Sequence, residues 1–364
     1  MELAALVSRR PVPGAGLLVT LTRRCPLRCA HCSTASGPEA RERPDPAGLR
    51  RFVGSFTPAD RPDVMMLTGG EPMLLPRLVA DLATAAGAVG TRTAVLSGMF
   101  FAARPRARSS AVVPPALLRA LRSVDHFSAS LDAHHEREVA RSAVFRALRE
   151  IREAGPAVSL HVTGEGPDDP YLADLIRDID WEFDGTMPTL VNEIRAVGRA
   201  ATWAGPARRG PGPDQGLPCA MAAWPVVAFD GSVLACCNQR VVDRRPAPAH
   251  LLLGHVERDG WGTVRARSLE SPLLRLIRAA GPLQVRERYG TEAGQPESPC
   301  AVCVRFAEQP RVAQRARVDA GGAAGALLDV TVGRDRGARG AVALVRQYGS
   351  AAYASSVLPR GAAR

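Results

Sequence analysis

The chain has 364 residues, 46% hydrophobic and 23% charged, which suits one large globular domain or two and excludes wholesale disorder. Its formal charge of +11 rests on 47 basic residues, all arginine, but these are scattered and aromatics make up only 5%, too few to stack on unpaired bases, so no nucleic-acid partner is expected. No run reaches the roughly eighteen apolar residues of a membrane span, and the basic start and apolar stretch of a signal peptide are missing, so no membrane partner is expected and the expected location is cytoplasmic.

From about residue 16, short apolar runs alternate with amphipathic stretches, the pattern of βαβ units. Leu17–Thr22 predicts a first strand, ending in a loop that carries Cys25, Cys29 and Cys32. Asp45-Pro46 predicts a helix start, with Leu49, Phe52 and Val53 on one face. Val64–Leu67 is a second strand, followed by Gly69-Gly70-Glu71-Pro72 and a helix around Leu78–Ala86. A third strand is expected at Thr93–Leu96, and Pro114–Leu121 precedes a fourth at His126–Leu131. A helix at Ser142–Ala154 leads to a fifth at Val158–Val162, and Tyr171–Ile179 to a sixth near Leu190–Val197. Such repeats fit an α/β fold, a partial (β/α)6 TIM-like barrel, whose chemistry lies in the loops at the C-terminal ends of the strands.

Trp203–Pro218, dominated by Gly, Pro and Arg, predicts a linker; Val226–Ala235 predicts a hairpin turning at Asp230-Gly231, and Ser271–Ala279 a helix. Beyond Phe306 the patterning is weak, with a helix near Ala341–Arg346 and a frayed end. The expected organisation is a barrel core over 14–201, a linker over 202–218, a small cysteine-bearing module over 219–305 and a partly disordered extension over 306–364, to which no function is assigned.

The eight cysteines fall into tight groups, with none between 33 and 218. Without an export signal a disulfide framework is not expected, and metal ligation is favoured. Cys25-Pro-Leu-Arg-Cys29-Ala-His-Cys32 places three thiolates where they can wrap one face of a cubane, leaving its fourth iron open. Structural zinc would need a fourth ligand, and His31 is badly placed to bend back. Cys219, Cys236 and the pair Cys300 and Cys303 offer four thiolates for a closed site, which suits an iron–sulfur cluster or tetrahedral zinc.

The first loop resembles the signature of the radical S-adenosylmethionine (SAM) superfamily, which implies a [4Fe–4S] cluster on Cys25, Cys29 and Cys32 and SAM as cosubstrate. By that resemblance His31 lies against the adenine, and Gly69, Gly70, Glu71 and Pro72 meet the SAM ammonium group. Ser130 and Asp132 contact its ribose and methionine part. Arg141, with Phe145 four residues on, resembles the arginine that pairs with the SAM carboxylate, and Gly198-Arg199-Ala200 another recurring piece. Ser97-Gly98 stands where Asn-Gly is frequent, leaving the Ser97 contact open. Cys219, Cys236, Cys300 and Cys303 are similar to the auxiliary-cluster module of SPASM and twitch proteins. No cysteine follows Cys303, so the shorter twitch form with one auxiliary [4Fe–4S] cluster is implied. Cys237 is surplus: an alternative ligand to Cys236, a free thiol, or a direct actor such as a hydrogen donor.

The resemblance covers roughly residues 16 to 305 and implies that SAM is cleaved reductively to a 5′-deoxyadenosyl radical, with flavodoxin or ferredoxin as reductant. One auxiliary cluster makes oxidation, a dehydrogenation in natural-product biosynthesis, the expected outcome. The rival within the enzymes is modification of a ribosomal peptide by crosslinking or epimerisation. With fewer than twenty residues before the first strand, leader binding would then need a separate protein. The rival of another class is a zinc-stabilised binding scaffold. The substrate, small molecule or peptide, is not specified, and Glu165, Asp184, Glu193 and Arg195 are candidates to face it.

Overall fold

The computed structural model describes residues 1–103, 111–205, 217–290 and 298–361, so most of the expected linker lies outside the described residues. Helix α1 (Leu3–Arg9) precedes β1 (Gly16–Thr20). Then follow α2 (Pro46–Gly54), β2 (Val64–Thr68), α3 (Pro76–Ala88), β3 (Arg92–Ser97), α4 (Pro115–Leu121) and β4 (His126–Leu131). The repeat ends with α5 (Arg141–Glu153), β5 (Ala157–Gly164), α6 (Pro170–Glu182) and β6 (Thr189–Glu193). Helix α2 shows why the local sequence suffices: Asp45 accepts from Gly48 N–H at 2.8 Å, Pro46 opens the first turn, and Leu49, Phe52 and Val53 are buried together.

β1 to β6 pair in parallel in chain order, in register from Leu17 opposite Met65 to Val162 opposite Val191. Leu17, Val19, Met65, Leu67, Val95, Phe127, Leu160 and Val162 face the helices and are fully shielded. Alternate positions Leu18, Met66, Leu96, Ser130, His161 and Asn192 stay partly exposed, so the concave face is open rather than filled. Below, α1 and Trp224 plug the barrel: Leu6 and Trp224 pack on Val64 and Ala94, and His126 Nδ1 lies 2.8 Å from Met1 O.

The sheet does not close. On its other edge β7 (Val226–Val227) runs parallel to β1, followed by antiparallel β8 (Ser232–Leu234), then α7 (Gln239–Val242) and β9 (Leu252–His255). The predicted hairpin is present, with Asp230-Gly231 at its turn, and it extends the barrel's own sheet. Around it lie α8 (Trp261–Glu270), α9 (Pro272–Ala279), α10 (Pro282–Tyr289) and α11 (Pro299–Arg305).

The extension corrects the expectation of a frayed, partly disordered end. It forms α12 (Pro310–Ala320), α13 (Ala323–Ala338), α14 (Gly340–Tyr348) and a 3-10 turn at Ala351–Val357, a single helical segment having been expected there. The turn and α14 pack on Leu3 and Val7 of α1 and on Leu190, and Ser350 N–H donates to Val191 O at 2.9 Å along the edge of β6. The weak periodicity has a physical cause. α13 turns Gly333 and Gly337 onto residues 8–13, where a Cβ would strike Pro13 and Ser8, so it packs through missing side chains rather than an apolar stripe.

Candidate active site

The C-terminal ends of the six parallel strands form one rim, and the three-cysteine loop crosses it. Cys25 is buried, with Cys29 and Cys32 half-buried. Cys25 N–H donates to Gly37 O at 3.0 Å, and Cys32 N–H to Cys29 O at 3.2 Å in a tight turn. The three thiols lie within electrostatic reach of one another. Burial pushes the Cys25 thiol up to about 12, with Glu71 and Cys32 adding to the shift, and burial, then Asp132, raises Cys29. Thiolates here need a compensating cation, which bound iron supplies, so the donor set fits the implied cluster. Among the described residues no three His, Cys, Asp or Glu side chains converge on a single-ion position. A cubane asks less convergence, because each thiolate takes its own iron.

The loop's backbone is gripped from β6. Arg199 donates to Cys29 O through Nε (3.0 Å) and Nη2 (2.7 Å), and through Nη1 to Ser36 O. Its own N–H donates to Cys32 O at 3.0 Å, and Trp203 Nε1 donates to Ala30 O at 3.1 Å. Gly198, at φ +58°, lies flat against the carbonyls of Cys32 and Ser33, where any Cβ would overlap them. The Gly198-Arg199-Ala200 piece is thus a clasp on the cysteine loop.

Gly69 and Gly70 make a comparable approach from β2. A Cβ on Gly69 would stand 2.6 Å from Thr22 O, and one on Gly70 would overlap the Arg23 and Arg24 carbonyls. Pro72 opens a short 3-10 turn, and Glu71, fully buried, accepts from Met73 N–H (2.9 Å), Ser97 Oγ (2.9 Å) and Gly98 N–H (2.9 Å). Burial, the largest influence, raises its carboxyl to about 7 against those hydrogen bonds. The side chains of Glu71 and Ser97 thus brace β2 to β3.

Asp132 closes β4 and is 2% exposed. Its Oδ1 accepts from His134 and His135 N–H, both at 2.9 Å, and its Oδ2 lies 3.1 Å from His31 Nε2. Burial works to raise it, but the His31 bond and the other donors hold it below the usual carboxylate range. His31 stacks on His134 (centroids 5.3 Å), which meets Trp203 at 5.1 Å. The Nδ1 atoms of His31, His134 and His135 are buried without a partner. This aromatic group beside the cysteine loop contains His134 and Trp203, which sequence reasoning missed; the His134-His135 pair after Asp132 was the available signal.

Arg141 opens α5 and is committed elsewhere. Its guanidinium donates to Glu136 Oε2 (3.1 Å), Asp174 Oδ2 (3.0 Å) and Asp178, over the ring of Tyr171. Burial works to lower it, and the three carboxylates outweigh that and raise it. Asp184 ends α6 at φ +50°, on the rim opposite the cysteine loop. Glu165 and Glu193 stand at the loop rim, at the ends of β5 and β6. Ser130 faces the open concave side beside His161, whose Nε2 lies 2.8 Å from Asn192 Nδ2, a further inward pair that sequence reasoning missed.

The second cysteine group is assembled from three segments. Cys219 lies before β7, its N–H donating to Ile277 O of α9 at 3.1 Å. Cys236 and Cys237 follow β8, and Cys300 and Cys303 lie one turn apart on α11. Cys219 feels Cys300 and Cys237, Cys236 feels Cys237, Cys219 and Cys303, and Cys303 feels Cys219 and Cys300. Burial raises the Cys219, Cys236, Cys300 and Cys303 thiols; at Cys300 the Asn238 amide (Nδ2 to Sγ 3.3 Å) and the Arg195 and Arg240 guanidinia oppose it. Cys237 lies within the same electrostatic reach, its sulfur 2.8 Å from Arg10 Nη2 and 3.6 Å from Met221 Sδ. His250, also missed, brings Nε2 to 3.7 Å from Cys303 Sγ.

Residues 19–179 match the family model described as Radical SAM superfamily. The fold is similar to that of SuiB from Streptococcus suis bound to S-adenosylmethionine, with a TM-score of 0.50 and 11% identity, over 81% of this chain and 78% of that one. SuiB bound to precursor peptide SuiA aligns at a TM-score of 0.49 and 11% identity, over 81% and 76%. Native anSMEcpe with bound AdoMet and Cp18Cys peptide aligns at 0.45 and 13%, over 83% and 99%. No curated protein matches the sequence significantly. Among the described residues no helix is long and apolar enough to cross a membrane.

Proposed function

We propose that the protein, whose residues 19–179 match the radical SAM family model, is an oxidising member of that superfamily, dehydrogenating a substrate in natural-product biosynthesis. Cys25, Cys29 and Cys32 hold the [4Fe–4S] cluster, and His31, Asp132, Ser130 and the Gly69–Pro72 turn surround SAM. Held by those three cysteines and reduced by a flavodoxin or ferredoxin, such a cluster would supply the electron for reductive cleavage of SAM and so the means of removing a substrate hydrogen. Cys219, Cys236, Cys300 and Cys303 would hold one auxiliary [4Fe–4S] cluster, which would supply an acceptor for the second electron of a two-electron oxidation, the second hydrogen leaving as a proton. The chain's own work is to hold the substrate C–H against the radical on the open concave face and to keep water away.

One observation carries the oxidative reading. The segment after β6 holds the first cysteine loop through Arg199 and serves the second group from its other end. There Arg195 lies within electrostatic reach of Cys300, and Ala196 O accepts from Arg240 Nη2 at 2.7 Å. Two cysteine sites sharing one short support favour electron transfer from substrate to the second site.

The test is the iron, sulfide and zinc content of anaerobically reconstituted protein, followed by SAM cleavage under dithionite. About eight irons per chain with formation of 5′-deoxyadenosine is the expected result. About four irons with one zinc would remove the oxidative arm and favour redox-neutral chemistry, such as peptide epimerisation with Cys237 as hydrogen donor. Zinc alone would leave only the binding scaffold.

A further inference from the structure

His250 stands on the turn before β9, where Leu251 N–H donates to Pro248 O at 2.9 Å. Its ring meets Phe306 edge-on (centroids 6.2 Å), its Nε2 points at Cys303 Sγ across 3.7 Å, and its Nδ1 is shut off from solvent with no hydrogen-bond partner. A polar atom buried without a partner is destabilising, so fold stability does not account for an imidazole here. A thiol is a weak hydrogen-bond acceptor, whereas a thiolate on iron carries charge and accepts strongly. The contact gains its strength only when the site is loaded.

We propose that His250 donates its Nε2–H to the Cys303 sulfur of the auxiliary cluster and thereby raises the reduction potential of that cluster. A hydrogen bond to a ligating sulfur favours the reduced, more negative state, and a higher potential suits a group that takes an electron from substrate. The ligand count separates donor from ligand. Cys237 is occupied by Arg10 and Met221, while Cys219, Cys236, Cys300 and Cys303 already supply one thiolate for each iron of a cubane. The proposal rests on the auxiliary-cluster reading above.

The experiment is an EPR-monitored redox titration of the auxiliary signal in His250→Ala and His250→Gln, each in a Cys29→Ala background that silences the first cluster, beside metal analysis of the same variants with Cys29 intact. Expected are about eight irons per chain in both, an auxiliary midpoint potential shifted negative in His250→Ala, and partial return in His250→Gln, whose amide keeps a donor. A purely packing role would not be rescued by the amide. An unchanged midpoint in His250→Ala overturns the proposal, and loss of about four irons there overturns it by making His250 a ligand. About four irons in the parent protein would sink the auxiliary reading itself, and the proposal with it.

Discussion

The two cysteine groups offer the same side chain for the iron–sulfur ligation proposed here and are built in opposite ways. Cys25, Cys29 and Cys32 sit on one short loop, so their spacing is covalent and tertiary structure only clasps the backbone, through Arg199, Trp203 and Gly198. Cys219, Cys236, Cys300 and Cys303 come from a turn before β7, the end of β8 and α11, so that site exists only once those segments pack. A locally encoded site survives loosening of the fold; an assembled one is lost with it.

The largest expected effect breaks the comparison from the first side. Cys29→Ala should abolish 5′-deoxyadenosine formation and remove about four irons per chain, leaving the second set loaded. Any turnover in this variant would falsify the assignment. From the second side, Cys303→Ala should lose a similar amount of iron and all product while still cleaving SAM slowly. If SAM cleavage disappears too, the sites are not separable.

A variant at a residue that makes no hydrogen bond to a cysteine sharpens the contrast. Arg278 on α9 and Asp329 on α13 are 3% and 2% exposed and meet at 2.6 Å, and Arg278 also reaches Ala222 O beside Cys219. Asp329→Ala leaves a buried guanidinium unpaired, at a cost of about 3–5 kcal/mol. Thermal unfolding should move down, and on mild warming the second site should release iron before the first. Simultaneous release would mean that both sites depend equally on the global fold.

The same distinction explains what was legible in the sequence. The six parallel strands lie within a few residues of their predicted places because alternation and caps are local; His126–Leu131 matches at both ends. The three-cysteine loop was legible for the same reason. What a side chain meets was not. The residues around Arg141 did not announce its ion pairs with Asp174 and Asp178, a helix and a strand further on. Nor did those around Glu71 announce its bonds to Ser97 and Gly98 of the next strand end. His250 belongs to no motif, and only folding brings it to Cys303. Helix α14 was legible near Ala341–Arg346, whereas α13 was not, because its glycine face carries no hydrophobic period.

The smallest effect concerns Glu71, which couples the first site to protons. Its carboxyl titrates at about 7 in the folded protein, raised chiefly by burial from 4.5. Between those values the folded chain holds a proton that the unfolded chain has released. Its contribution to stability is therefore complete below about 4.5 and is lost as pH rises through about 7, by at most about 3 kcal/mol. Glu71→Gln cannot titrate, so the stability advantage of the parent over the variant should shrink across that window in urea unfolding measured from pH 4.5 to 8. A constant offset would show the carboxylate ionised throughout, held by Met73, Ser97 and Gly98. The charge also acts on Cys25, whose thiol Glu71 pushes up, whereas the second-site thiols feel one another, Asn238 and two arginines. Ionised Glu71 opposes a thiolate at Cys25, so Glu71→Gln should ease iron loading of the first site at pH 8 and leave the second unchanged.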